Sequence, residues 1–326
     1  MGSIRCIFTV ILLSFMIFGC ATPQSVSQEK LTGIKRIATI SLLGDKIELK
    51  HIGSTVFTNK ATYEPVNWKI DTLIKNTINN EISKRTNFQI VDIDFNRDNL
   101  TAQEIKNAYD AENQLPKVGV AAKDIEQYLR KIKASRNIDT LILVTRSYCE
   151  VPGTYQRVQG YSLRTRKALF VLDVTPELSL FSVIKVIDLN TMEEIAKDAI
   201  FKHKAVGKEY SIKTFSELSA PELKVLEDFF RETILEEIPL SLQELKLIPI
   251  DYSDGINKVE ASILAEEYLV KNLSNTCILT KPFDGGDTWK FAIMKCVKDE
   301  AVAIEEIPPI IVDKKTGKII WNYRKL

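Results

Sequence analysis

The strongest constraint on how this chain folds lies at its amino end. From Cys6 to Gly19 runs an uncharged apolar stretch of fourteen residues, preceded by one cation, Arg5. As a helix such a run covers about 21 Å, short of a hydrocarbon core of ~30 Å, yet it fits the apolar core of an export signal. The rest of the chain is therefore expected to fold outside the cytosol, where disulfides persist. The composition is ordinary for a globular protein, with 45% hydrophobic and 27% charged residues, which excludes a disordered polymer. A length of 326 residues suggests about two domains. The near balance of 44 Lys+Arg and 43 Asp+Glu gives no bulk attraction to nucleic acid, so no nucleic-acid partner is expected.

The apolar run ends Ile17-Phe18-Gly19-Cys20-Ala21. A small residue before a cysteine, with an aliphatic residue three before it, resembles the bacterial lipoprotein processing site. The resemblance implies removal of signal residues 1–19, a diacylglycerol on the Cys20 thiol and a fatty acid such as palmitate on its amine. At ~0.8 kcal/mol per buried CH₂, several acyl chains anchor a protein stably. Ala21, standing where an Asp retains many lipoproteins in the inner membrane, implies the outer membrane, facing the periplasm. Residues 20–33 are polar and read as a lipidated tether.

From Arg36 the chain alternates strands and helices. Arg36–Leu43 and Lys46–Ile52 are β-rich runs around Gly44-Asp45, a hairpin signal. Ile70, Ile74, Ile78 and Ile82 recur every fourth residue and predict a helix behind Trp68. Phe88–Ile93 reads as a strand, Ala102–Asn113 and Ala121–Ala134 as helices, and Asp139–Thr145 as a buried central strand. Arg166–Thr175, Leu178–Leu189 and Glu194–His203 predict a meander turning at Pro176-Glu177 and Asn190-Thr191. Ser219-Ala220-Pro221-Glu222 is a capping-box signal for a helix that Pro239 should end or kink. After Tyr252-Ser253-Asp254-Gly255, an amphipathic helix marked by Ile256, Val259, Ile263, Leu264 and Tyr268 precedes four short strands.

The fold class expected is α/β (α+β): a mixed sheet with packed helices over 34–250, then a small helix-and-antiparallel-sheet domain over 256–326. The element order of 34–205 resembles the α/β amino-terminal domains of envelope proteins of the TolB type. More narrowly, the segment from Leu42 to Asn59, followed by Trp68-Lys69-Ile70-Asp71, is similar to a group of proteobacterial lipoproteins. The carboxy-terminal pattern, Lys281-Pro282-Phe283, Trp289 and Asp313-Lys314-Lys315-Thr316-Gly317-Lys318, resembles small NTF2-fold immunity-type and PepSY-like domains.

Candidate chemistry is sparse. If Gly286 and Asp287 form a turn centre, Cys277 faces Cys296, a pairing that suits a disulfide; the alternative is two small buried residues. Asp92, Asp94, Asn96 and Asp98 imitate the start of a calcium loop but lack its Gly and Glu, leaving strand-exit polar residues. His51 and His203 read as surface or packed residues, and Cys149 as a nucleophile would need His203 brought close. Arg157, Arg164, Arg166 and Lys167 among Tyr155 and Tyr161 read as a solvated hairpin. No phosphate loop, nucleophile elbow or zinc-helix motif is present in the sequence. The expectation is a protein that is not an enzyme, with no catalytic residue, metal or cofactor. It would be anchored to the membrane by lipid on Cys20 and act as a protein-binding or assembly accessory. The alternative is an immunity-like inhibitor of an exported toxin or enzyme.

Overall fold

The computed structural model describes residues 25–93, 129–131, 133–151, 156–168, 171–212, 215–253, 255–272, 277–280, 282–296 and 308–320. The helix expected over Ala102–Asn113 and most of the one over Ala121–Ala134 lie outside these residues, as do Cys20, Asp94, Asn96, Asp98 and Tyr155.

The main sheet is mixed and built in rows. β8 (Val171–Asp188) and β9 (Glu193–Ala205) are long antiparallel partners. Along the other edge of β8 two strands lie end to end: β5 (Thr140–Arg146) opposite Ser182–Asp188, and β7 (Arg157–Ala168) opposite Val171–Phe181. Between them the chain makes β6 (Tyr148–Glu150), which folds back on Arg157–Gln159. The next row repeats the pattern, with β1 (Arg36–Ser41) parallel to β5 and β2 (Lys46–Ile52) parallel to β7. Outermost, β4 (Gln89–Ile90) flanks Arg36 and Ile37, while β3 (Lys60–Pro65) runs antiparallel to β2.

The sheet and its helices correct three expectations and narrow a fourth. Gly44-Asp45 does not turn β1 back on β2: the strands follow each other in one direction, with Gly44 at φ 92° in the break. Pro176-Glu177 is not a turn either, because β8 runs straight through it. The β7–β8 register shifts between Arg164 and Arg166, beside this position, which accommodates a residue without an N–H. The strand at Phe88–Ile93 is assigned only over Gln89–Ile90. Of the two outcomes expected at Pro239, ending the helix is excluded, because Pro239 lies inside a helix that continues to Glu244. The carbonyl it leaves unbonded is that of Leu235, on the exposed side, while Ile238 and Leu242 stay fully buried.

Two helices cover one face of the sheet. α2 (Ile70–Arg85) buries Ile70, Ile74, Ile78 and Ile82, as the four-residue spacing requires, and α3 (Ala220–Glu244) buries Leu226, Phe230, Ile234 and Ile238. Ser219 N–H donates to Glu222 Oε2 at 2.7 Å, so the expected cap forms. Both stripes share a core with Ile37, Leu43, Val144, Leu178 and Ile184. The opposite face gathers Ala38, Ile40 and Leu42 with Leu141, Leu143 and Leu129. Both faces of β1 and β5 thus carry buried apolar residues.

The tether is shorter than expected. Val26 is buried and its N–H bonds the Leu245 carbonyl at 3.1 Å. Ser27 Oγ then accepts Lys30 N–H to cap a short helix, α1 (Gln28–Gly33). Lys30 Nζ reaches Asp188 at 3.2 Å, at the end of β8. The polar sequence of 26–33 gave little warning, since one valine carries the docking.

The carboxy-terminal unit has its own core of Ile256, Ala261, Ala265, Leu269, Phe291, Ile293, Ile310 and Val312. α4 (Lys258–Asn272) begins at Asn257, whose Oδ1 accepts the N–H groups of Val259 and Glu260 while Glu260 Oε2 accepts its own N–H. β11 (Phe283–Asp284), β12 (Thr288–Phe291), β14 (Ile310–Asp313) and β15 (Ile319–Ile320) form one antiparallel sheet; β10 (Cys277–Leu279) pairs with β13 (Ile293–Cys296). Gly317, at φ 66°, closes the Asp313 turn, where Asp313 Oδ1 accepts the Thr316 N–H at 2.7 Å. Buried Gln243 of α3 donates to buried Glu260 of α4 at 2.7 Å and ties the unit to the main sheet.

Candidate functional site

The break between β1 and β2 has a consequence at the sheet edge. β4 covers only Arg36 and Ile37, and β3 begins beside Lys46, so among the described residues no strand flanks residues 38–45 on that side. A cleft of about 1040 Å³ opens there, within the range of small-ligand and peptide sites. Its wall is the polar side of α2, which carries Asp71, Thr72, Lys75, Asn76, Asn79 and Asn80 opposite the isoleucine stripe.

Asp71, in the first turn of α2, organises the break. Its Oδ1 accepts the Ser41 hydroxyl at 2.6 Å and the Leu43 N–H at 2.9 Å, and its Oδ2 accepts the Gly44 N–H at 3.2 Å. The carbonyls are met from the other side. Arg146 Nε donates to Leu43 O at 2.6 Å, and the buried Tyr161 hydroxyl donates to Gly44 O at 2.5 Å. The amides and carbonyls of Leu43 and Gly44 are thereby all paired away from water, which an internal break in a sheet requires. Higher in the cleft, Thr39 Oγ1 donates to Asn79 Oδ1 at 2.8 Å, and Lys75 pairs with Asp92 at 2.5 Å. The lining combines amides, hydroxyls and compensated charges. It can recognise a neutral polar surface or a peptide backbone through hydrogen bonds.

A second cluster lies where α3, α4 and β9 meet. Burial, with the carboxylates of Asp198, Glu266 and Glu237 around it, pushes the Glu244 carboxyl up to about 8. Burial raises Glu266 as well, against the pull of Lys246. A carboxyl raised on folding holds its proton more tightly in the native state, so its contribution is complete below the unfolded value of 4.5 and is lost as pH climbs toward 8. Glu244→Gln should leave the melting temperature unchanged at pH 4 and raise it by roughly 3 °C at pH 8. Parallel melting curves at both pH values check this.

The other sequence candidates scatter. Cys149 sits opposite Val158 on β7 and packs with Ile52, Val151 and Phe181; His203 faces Ser179 from β9, across β8. His51 Nδ1 bonds Thr165 Oγ1 at 2.9 Å. Of the basic hairpin, Arg157 pairs with Glu150 and lies 4.5 Å from the Tyr148 ring centre, and Arg164 pairs with Glu177 at 2.6 Å. Tyr161, read as part of that solvated face, is instead a core residue. Cys277 and Cys296 are direct partners in the β10–β13 register; the register shifts by one between Ile278 and Leu279 and is recovered at Phe283↔Lys290, beside the turn at Gly286-Asp287. The role of Asp71 was missed by sequence reasoning, although the Trp68-Lys69-Ile70-Asp71 signal contained it.

No protein-family model matches the chain, and no curated protein does. Solved structures are similar at low identity. A hypothetical protein from Chlamydia trachomatis is 8% identical over 63% of this chain and 96% of its own, with a TM-score of 0.28. A Xanthomonas campestris protein is 5% identical over 65% and 86%, with a TM-score of 0.31. The lipoprotein GNA1162 from Neisseria meningitidis is 8% identical over 61% and 97%, with a TM-score of 0.24.

Proposed function

We propose that this is a lipid-anchored bacterial envelope protein that acts by binding a protein partner rather than by catalysis. The anchor is the lipidated Cys20, in the outer membrane facing the periplasm. The partner's extended backbone occupies the cleft beside residues 38–45. The observation that carries the anchoring is the Ile17-Phe18-Gly19-Cys20 sequence, set only a few residues before docked Val26. The binding reading is supported by the cleft chemistry. Both oxygens of Asp71 hold backbone and hydroxyl groups, and Asn76 and Asn80 remain on the rim to meet a partner.

Intact-mass and peptide analysis of the protein from membranes tests this. The amino-terminal peptide is expected to begin at Cys20 and carry a diacylglycerol, and Cys277 and Cys296 are expected as one disulfide-linked pair. Cys20→Ser should remove the lipid and shift the protein out of the membrane fraction. A Cys20→Ser protein that stays membrane-bound would overturn the anchoring. A photo-crosslinking residue at position 76 should capture a protein in cells; capture of nothing there, with position 80 equally silent, would overturn the partner reading.

A further inference from the structure

We propose that one end of the folded body, the corner formed by Ser25, Lys246 and the α4 residues Val270 and Lys271, rests against phospholipid headgroups. The proposal deepens the lipid-anchor reading and rests on it. Six Cα-to-Cα steps separate Cys20 from Val26, a reach of roughly 20 Å when fully extended. Val26 is not free to use that reach as slack. It is buried, bonded to Leu245, and followed by a capped helix clamped to Asp188. Whatever holds Cys20 in a bilayer therefore holds the Leu245 corner within about 20 Å of it.

The chemistry of that corner suits a headgroup layer. A shallow cleft of about 380 Å³ beside Ser25 is lined by Glu244, Lys246, Glu266, Glu267, Val270 and Lys271. Lys246 pairs with Glu267 at 3.2 Å, while Lys271 is a cation on a long apolar stem, able to reach phosphates while its methylenes cover apolar surface. Val270 is 58% exposed, on a helix whose other face is core. The raised Glu244 carboxyl limits the negative charge of the corner, and Glu267 is balanced by Lys246.

The opposite end of the molecule is fixed by the same geometry. β8 runs away from Asp188, and its eighteen residues span up to about 56 Å. At its far end lie Arg166 of β7 and Ile52 of β2, with Phe57, 93% exposed, just beyond. A body seated on the Leu245 corner thus presents Phe57 to the periplasm.

The test uses the full lipidated chain in vesicles of phosphatidylethanolamine and phosphatidylglycerol (3:1) containing a headgroup-nitroxide quencher. A fluorescent amino acid is placed at exposed position 272, beside Lys271, or at exposed position 57. Quenching at 272 is expected to exceed that at 57 several-fold. Inserting a twenty-residue Gly/Ser segment between Ala21 and Ser25 should reduce the difference to near unity. Equal quenching with the native spacing, stronger quenching at 57, or a difference that survives the insertion would each overturn the proposed seating. The mass of the amino-terminal peptide is read on the same sample. Lipid present without a difference defeats only the orientation, whereas absent lipid defeats the anchor reading and the orientation together.

Discussion

Asp71→Ala is expected to lower stability by about 3 kcal/mol, the loss of three bonds to a carboxylate with two backbone donors left unpaired. The donors are the Leu43 and Gly44 N–H groups, and no other described side chain reaches them. Urea melts of the purified domain measure the change. Asp71→Asn keeps the shape and one acceptor oxygen but turns an amide NH₂ toward the remaining donor, so it should lose about half as much. If Asp71→Ala stayed within ~0.5 kcal/mol of the parent, the break between β1 and β2 would not depend on this carboxylate. Hydrogen exchange gives a sharper readout, because the Leu43 and Gly44 amides should both lose protection in Asp71→Ala and only one of them in Asp71→Asn.

The second large effect is Phe230→Ala, expected to cost about 4 kcal/mol. Phe230 is fully buried and stacked on Trp68, with ring centres 5.7 Å apart, and meets Tyr161 edge-on at 5.5 Å. These three rings join α3, the segment leading into α2, and β7. Tyr161 also supplies the hydroxyl that satisfies Gly44, so a cavity at Phe230 loosens the cleft floor as well as the core. Phe230→Leu should recover more than half of the loss, since it refills most of the volume. Chemical denaturation of the three proteins side by side decides it.

What could be read from the sequence was governed by local physics. The isoleucines of α2 revealed themselves because a helix repeats every 3.6 residues whatever surrounds it. The pairing of Cys277 with Cys296 was legible from the Gly286-Asp287 turn because the one-residue shift at Leu279 is reversed before Phe283, leaving both ends in the same register. The β1–β2 break was misread because a glycine at positive φ is common to hairpins and to interruptions. The choice between them is made by Arg146, 103 residues away, and Tyr161, 117 away. Pro176 misled as a turn, and Pro239 does not end its helix, for a related reason: each forbids one hydrogen bond, but a register shift or an exposed carbonyl absorbs that loss while flanking burial holds the element together. Tyr161 looked superficial among arginines because the strand is covered on both faces at 160–163, where Ser162 is buried as well, and only distant elements supply that cover. The cleft was the least legible feature, being a gap left between two edge strands.

The row arrangement also governs the order in which the chain can acquire structure as it emerges. β1 and β2 find their inner neighbours only at Thr140 and beyond, and those neighbours lean on β8, which begins at Val171. Apart from the local pairing of β2 with β3, the early rows find their inner neighbours only at β5 and β7 and the spine that joins those only at β8, a high contact order that slows folding. A polypeptide threaded amino end first through a narrow export channel would complete this sheet only when β8 arrives. The spine strand then recruits both earlier rows at once.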